Sequence, residues 1–231
     1  MNQLLKALPD NDLQQLKPHL EQVILSPHQV LYEADESISH VYFPNDGLVS
    51  LVVSSHDGIQ VESSIVGLEG LVGAMAVLGD KHTITKAEVE IAGTAWQAPI
   101  SVLRDQSQSD SALERALLRY MQVLYNQTAQ SALCNRAHSV EDRFCRWMLV
   151  IRGRVQSEEF DLRPEFIADM LGLKTPKVLP VLAMFEKAGL IHYDHVRGHL
   201  TLCDVDKRAI AACECYKVLE EQFRVLDNSQ W

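Results

Sequence analysis

The sequence predicts an α+β fold, an antiparallel β front half followed by a helical rear half with a small terminal wing, and three observations lead there. Apolar residues alternate in short runs through the first hundred or so positions, then recur at helical spacing from Ser109 onward. Charge divides at nearly the same point. Residues 1 to 110 hold 5 Lys+Arg and 15 Asp+Glu, a net of −10, whereas residues 111 to 231 hold 16 of each and balance to zero. Near the end, the order helix, tight turn, helix, hairpin can be read in one uninterrupted run.

A chain of 231 residues with 47% hydrophobic content can bury an ordinary core and is comfortable as two modules with different partners. No charged-then-apolar leader opens it, and no apolar run approaches the ~20 residues of a membrane span. A cytoplasmic protein without membrane contact is expected.

The front half opens with "LLKALPDNDLQQLKPHLEQV", where Leu4, Leu5, Leu13 and Leu16 give helical spacing and Pro9 followed by Asp10 marks a break. The period then changes. "VILSPHQVLYE", "HVYFPNDGLVSLVVSS" and "GIQVESSIVG" are β-branched and aromatic runs split by turns at Asn45, Asp46, Gly47 and at Asp57, Gly58. Short strands at this spacing predict an antiparallel sandwich or barrel. "EGLVGAMAVLG" reads as a short helix between glycines, with two further strands around "AEVEIAG" and "TAWQAPI".

In the rear half, residues 111 to about 137 carry Leu113, Leu117, Tyr120 and Leu124 at steps of four, three and four, with no proline or glycine inside. So long a helix has more apolar stripe than a small sandwich needs. Those four residues are expected to meet a second copy in a two-fold dimer, the alternative being a helix packed only on its own barrel. "SVEDRFCRWMLVIRGRV" opens with a capping-box pattern at Ser139 and gives a helix with Phe144, Trp147 and Met148 inward. "FDLRPEFIADMLGLKTPKVLPVLAMFEKAGLIHYDHVRGHLTL" then reads as a helix, a turn at Gly172, a second helix stopped at Gly189, and a hairpin over "YDHVRGHL": a helix-turn-helix with a wing.

The five cysteines, all in the rear half, are odd in number, and reduced thiols are expected. Cys213 and Cys215 form a C-x-C. Two residues apart on a helix they point to different faces, and no neighbouring His or Cys completes a tetrahedral set, so no metal and no cofactor are expected. There is no nucleophile beside a base and no carboxylate pair in a motif, so an enzyme is not expected.

From about Leu4 to about Leu226 the chain resembles the CRP/FNR family of bacterial transcription regulators. "PHLEQVILSPHQVLYEADESISHVYFPNDGLVSLV" and "VGLEGLVG" look like the roll of one branch of that family, "QTAQSALCNRAHSVEDRFCRWML" like its dimer helix and hinge, and "ACECY" like its tail. The resemblance implies a jelly-roll-like β-roll sensory domain over residues 1–110, a dimerisation helix over 111–138 and a winged helix-turn-helix domain over 139–231. It also implies a homodimer that binds double-stranded DNA.

Two sites depart from the family pattern. Cyclic-nucleotide-binding members present a Gly-Glu helix and an Arg beside Ser or Thr to the ribose and phosphate, because a buried phosphate needs a cation and several donors. Here Gly73 fits, but Ala74 stands for the Glu and Ile84 precedes Thr85 where the Arg belongs. Lys81 or Lys86 could substitute only with a shifted backbone. Cyclic AMP and cyclic GMP are therefore not expected, and any other small-molecule effector stays unidentified. No Cys precedes residue 134, which removes the family's iron–sulfur option, and His28, His40, His56 and His82 read as ordinary groups rather than heme ligands.

The second departure is in the recognition helix. Thr175 is expected to cap it and Pro176 suits its first position, whereas Pro180 would cost ~3 kcal/mol unless the helix starts late or kinks. No arginine faces the groove to grip a guanine. Lys174, Thr175 and Lys177, with Arg163 before the first helix and Arg197 and His199 in the wing, are the expected DNA contacts. "KVLPVLAMF" is apolar around much of its helix. Either Leu179 packs on a neighbour, or the face around Leu179 and Pro180 meets a protein partner and the chain has given up reading DNA sequence.

Overall fold

The computed structural model describes residues 1–107, 110–203 and 212–227, so Ser109, where helical spacing was expected to begin, lies outside the described residues. Helices α1 (Gln3–Ala7) and α2 (Asp10–Leu16) open the chain, broken at Pro9 as the sequence implied. Asn2 anchors them. Its side-chain oxygen accepts from Leu5 N–H at 3.1 Å while its amide donates to the carbonyls of Pro44 and Gly70 at 2.9 and 2.8 Å.

Seven strands follow: β1 (Glu21–Leu25), β2 (Val30–Tyr32), β3 (His40–Pro44), β4 (Leu48–Ser54), β5 (Gln60–Val66), β6 (Lys86–Ile91) and β7 (Gly93–Pro99). They form two antiparallel sheets, ordered β1-β7-β3 and β2-β6-β4-β5. Alternation decides which side chains meet between them. Leu25, Val41, Phe43, Val49, Ala87, Val89, Ala95 and Ala98 share one core, while Lys86, Glu88 and Glu90 occupy the other face of β6. Helix α3 (Ala74–Leu78) sits between Gly73 and Gly79 as expected. Helix α4 (Ile100–Gln106) was not anticipated. It starts directly after Pro99, where a strand was read to run on, and buries Ile100 and Leu103 three residues apart.

The long helix α5 (Ala112–Ala137) is capped by Ser111, whose hydroxyl accepts from Glu114 N–H at 3.0 Å. After His138, helix α6 (Val140–Val155) begins with the capping box of Ser139 and Asp142 and buries Phe144, Trp147 and Met148. The wing sheet is ordered β8-β10-β9, from β8 (Glu159–Asp161), β9 (Ile191–Asp194) and β10 (His199–Leu202). Between β8 and β9 lie α7 (Pro164–Leu171) and α8 (Val178–Lys187). The last helix, α9 (Cys215–Asp227), turns back onto α5 and α6 and sends Leu226 into the core of the roll.

The two halves share an apolar seam: Leu48 and Ile65 of the roll join Phe144, Trp147, Ile151 and Phe166 in the rear core. Arg154 is the polar centre of that seam. It donates to Ile65 O and to Gln127 Oε1, both at 2.6 Å, pairs with Glu69 at 3.3 Å, and lies 4.2 Å above the Phe223 ring. Nearby, Gly70 has no room for a side chain, because a Cβ there would fall 2.4 Å from the Tyr120 hydroxyl.

Candidate functional site

The pair α7–α8 is set by one residue of left-handed backbone. Gly172 has φ 63°, which glycine adopts without the steric cost a Cβ would bring, and its N–H returns to Asp169 O at 3.2 Å to end α7. The chain then makes a single 3-10 turn over Thr175–Lys177, and α8 begins only at Val178. This late start resolves the conflict over Pro180. It becomes the third residue of α8, where the N–H has no intrahelical acceptor in any case, so the proline removes no bond. The ~3 kcal/mol cost would apply to a helix begun at Pro176, which does not form. Thr175 does not cap the helix. The turn closes through backbone instead, Lys177 N–H to Lys174 O at 2.8 Å and Val178 N–H to Thr175 O.

Val178, Leu182 and Phe185 point into the rear core, with Phe185 4.8 Å from Phe144. The opposite face carries Pro176, Leu179, Pro180, Ala183, Met184 and Lys187, all exposed. Leu179 on that face is 46% exposed. Direct readout in the major groove uses side-chain donors and acceptors against base edges, and this face offers none between Lys177 and Lys187. Apolar groups there can meet only thymine methyls. Lys174 and Lys177 flank the entrance of the helix, both exposed, with Thr175 half-buried between them.

The other three expected DNA contacts sit elsewhere. Arg163, Arg197 and His199 line a cleft of about 680 Å³ between the wing and the roll, together with His28, Glu90 and Asp161. His199 is engaged there, its Nδ1 2.7 Å from Asp161 and its Nε2 3.9 Å from Glu159. The six residues thus divide into a trio on the α8 turn and a trio lining the cleft beside the wing. An adjoining cleft brings Arg163, Glu165 and Asp169 against Glu62, Glu88 and Glu90 of the four-stranded sheet. Two carboxyls in this seam are held well above their ordinary range. Burial and the neighbouring Glu62 and Glu88 push the Glu90 carboxyl up to about 9. Burial raises Glu62 to about 7, against the opposing hydrogen bonds from Ser50 Oγ at 2.7 Å and Trp147 Nε1 at 3.0 Å.

In the roll, Gly73 has φ 86° and leads into α3, where Ala74 is buried in the apolar core. Ile84 is 70% exposed and points no cation anywhere. Thr85 shares a hydrogen bond with Thr83 at 3.0 Å. Of the two substitute cations considered from the sequence, Lys81 is exposed and Lys86 is paired with Glu88. His28 stands beside Glu88 at 3.6 Å, His40 beside Ser39 and His82 beside Asp80, with His56 exposed in the β4–β5 turn.

Two expectations need correction. Leu113, Leu117, Tyr120 and Leu124 are buried in their own protomer's core, so they are not free to form a dimer seam. A second stripe, one position further round α5, is exposed: Leu118, Gln122, Tyr125, Ala129 and Ala132, at steps of four, three, four and three. The geometry expected of the cysteines also differs. Cys213 lies just before α9 rather than on it, so it and Cys215 face the same point, and Cys134 and His138 from the end of α5 meet them there. The signal was present as a C-x-x-x-H in one segment and a C-x-C in another, about 80 residues apart in sequence.

The fold and sites can be set beside known proteins. The model of the cyclic nucleotide-binding domain matches residues 22–110, and that of the Crp-like helix-turn-helix domain matches residues 142–207. FixK2 from Bradyrhizobium japonicum superposes with a TM-score of 0.71 at 17% identity, covering 84% of this chain and 98% of its own. A CRP family transcriptional regulator from Thermus thermophilus, TTHB099, gives 0.68 at 18%, covering 82% and 96%. The c-di-GMP responsive global regulator CLP from Xanthomonas campestris gives 0.68 at 13%, covering 85% and 100%. Among curated proteins none matches the chain. Among the described residues no helix is long and apolar enough to cross a membrane.

Proposed function

Since the chain belongs to the CRP/FNR family of transcription regulators, whose fold it has and which are not enzymes, we propose that it is a homodimer whose α7–α8 unit enters DNA by way of the Lys174–Lys177 turn. The observation that carries this reading is that turn: two exposed lysines and a threonine at the N-terminal end of the second helix of a helix-turn-helix, the end that meets DNA in such motifs. Lys174 and Lys177 supply phosphate contacts, and Thr175 a phosphate or a base contact. Arg163, Arg197 and His199, which line the cleft beside the wing, add backbone contacts. With an apolar outer face on α8, sequence preference rests on thymine methyls and DNA shape more than on guanine.

The dimer reading is supported by the exposed stripe on α5, where Leu118 is 54% and Tyr125 72% exposed at heptad spacing. The roll is read as working without cyclic AMP or cyclic GMP. Ala74 offers no carboxylate for the ribose, and Lys86 is committed to Glu88. A test of the DNA contacts is duplex binding by fluorescence anisotropy across a salt series. Lys177→Ala is expected to lower the slope of log K against log salt by about 0.9 per lost contact, hence about 1.8 for a dimer. An unchanged slope would remove Lys177 from the interface.

A second reading rests on the same helix. Leu179, Pro180, Ala183 and Met184 form an exposed apolar face that suits a protein partner as well as a thymine-rich groove. Leu179→Asp would abolish capture of such a partner, whereas a capture indifferent to that change would refute this reading.

A further inference from the structure

We propose that Cys134, His138, Cys213 and Cys215 bind a tetrahedral divalent metal ion, zinc by the nature of the donors, and so pin the start of α9 to the junction of α5 and α6. The ligand atoms of all four residues lie within 4.8 Å of one another. Cys134 Sγ and Cys213 Sγ are 3.6 Å apart, and Cys215 Sγ is 3.7 Å from His138 Nδ1. A tetrahedron with zinc–sulfur bonds of ~2.3 Å has edges of ~3.8 Å. Two of its edges are therefore already at the spacing of a single ion, and no ligand pair lies further apart than 4.8 Å. Iron–sulfur clusters hold their thiolates further apart, and three thiolates with one imidazole select zinc over hard cations such as magnesium or calcium.

The surroundings are built for the same purpose. His138 Nε2 is 3.2 Å from the Glu214 carboxylate, which fixes the proton on Nε2 and leaves the Nδ1 lone pair facing the sulfurs. Gln130 donates to Cys215 Sγ at 3.0 Å, a bond that favours a thiolate. Cys134 and Cys215 are fully buried, and the His138 side chain is 16% exposed. With four protein ligands and no open position, the site is structural rather than catalytic. Binding replaces the thiol protons with the metal, each Cys–S–H losing H⁺ to solvent as its bond to the ion forms.

The consequence is mechanical. His138 follows the last residue of α5 and Ser139 caps α6, so the ion sits where the long helix hands over to the helix-turn-helix half. The other two ligands precede or begin the helix that packs on both. An ion there fixes the angle at which α6 leaves α5. This proposal does not depend on which DNA, if any, the chain reads.

The test uses the full chain, purified under reducing conditions without chelator. Plasma mass spectrometry is expected to find about one zinc per chain, and reconstitution with cobalt(II) is expected to give the intense visible bands of tetrahedral thiolate coordination. Cys203→Ser, at an exposed cysteine outside the cluster, keeps the metal. Cys213→Ser loses it, and Glu214→Gln weakens it by about 10- to 100-fold. His138→Cys retains zinc, because four cysteines also close a tetrahedron, and shifts the cobalt spectrum. Should the serine variant fail to fold, the cobalt spectra of the wild type and of His138→Cys decide. The proposal is overturned by a wild type with free thiols and no zinc, by a Cys134–Cys213 disulfide in the freshly purified protein, or by zinc that Cys213→Ser leaves in place.

Discussion

Arg154→Met removes the cation that holds roll, long helix and rear half together, and its cost can be worked from the contacts. The guanidinium makes two charge-assisted hydrogen bonds at 2.6 Å, to Ile65 O of the roll and to Gln127 Oε1 of α5. Each is worth about 1.5–3 kcal/mol. The pair with Glu69 adds to this, and with side-chain exposures of 4% and 7% solvent screens neither partner. Methionine keeps some packing on Phe223 but strands the Glu69 carboxylate, so the loss is expected to be about 3–5 kcal/mol, the range for breaking a buried pair. Urea unfolding followed by tryptophan fluorescence reports it, since Trp147 lies buried in α6. Glu69→Gln in the Arg154→Met background should recover part of the loss, giving a coupling energy of about 0.5–3 kcal/mol in the double-mutant cycle. A single-mutant cost under about 1 kcal/mol, or a cycle that is additive, would refute the reasoning.

Pro180→Ala is expected to change stability by less than about 1 kcal/mol, because no hydrogen bond is regained in the first turn; thermal unfolding checks this, and a large gain would mean that α8 is strained. Leu118→Glu combined with Tyr125→Glu should give a folded monomer by sedimentation, whereas Leu117→Ala should cost about 2–5 kcal/mol and leave the dimer intact, the reverse of what the sequence stripe suggested. Stability should also fall with rising pH. Glu90 and Glu62 have folded values raised to about 9 and about 7 from the usual 4.5, so their contribution is complete below pH 4.5 and is lost as pH climbs through 7 and then 9. Glu90→Gln should flatten the upper part of that decline in urea titrations, and an unchanged profile would exclude it as the source.

Elements whose sequence obeys one period were legible in advance. The strands flanking Asn45–Gly47, the capping box at Ser139 and the glycine turn at 172 each rest on local chemistry, and each formed where expected. Helix α4 was missed because the strand was read on through Ile100, whereas Pro99 both ends β7 and precedes the helix. The stripe expected at a dimer seam is instead claimed by the protomer's own core, and the stripe left exposed lies one position further round α5. The metal-ligating set was invisible locally, since its halves come from separate helix ends that only the return of α9 brings together. The division of the six basic and polar DNA candidates is equally non-local, because it depends on how the wing sits against the roll.

Selection from a random duplex pool, followed by sequencing of the bound DNA at near-physiological salt, tests the central claim most directly. A dimeric reader with this helix-turn-helix is expected to enrich a palindrome whose half-sites lie one helical turn apart, with thymines where Leu179 and Ala183 meet the groove. A pool that shows no enrichment, together with binding that vanishes as salt rises, would contradict it and leave α8 as a surface for protein rather than for DNA.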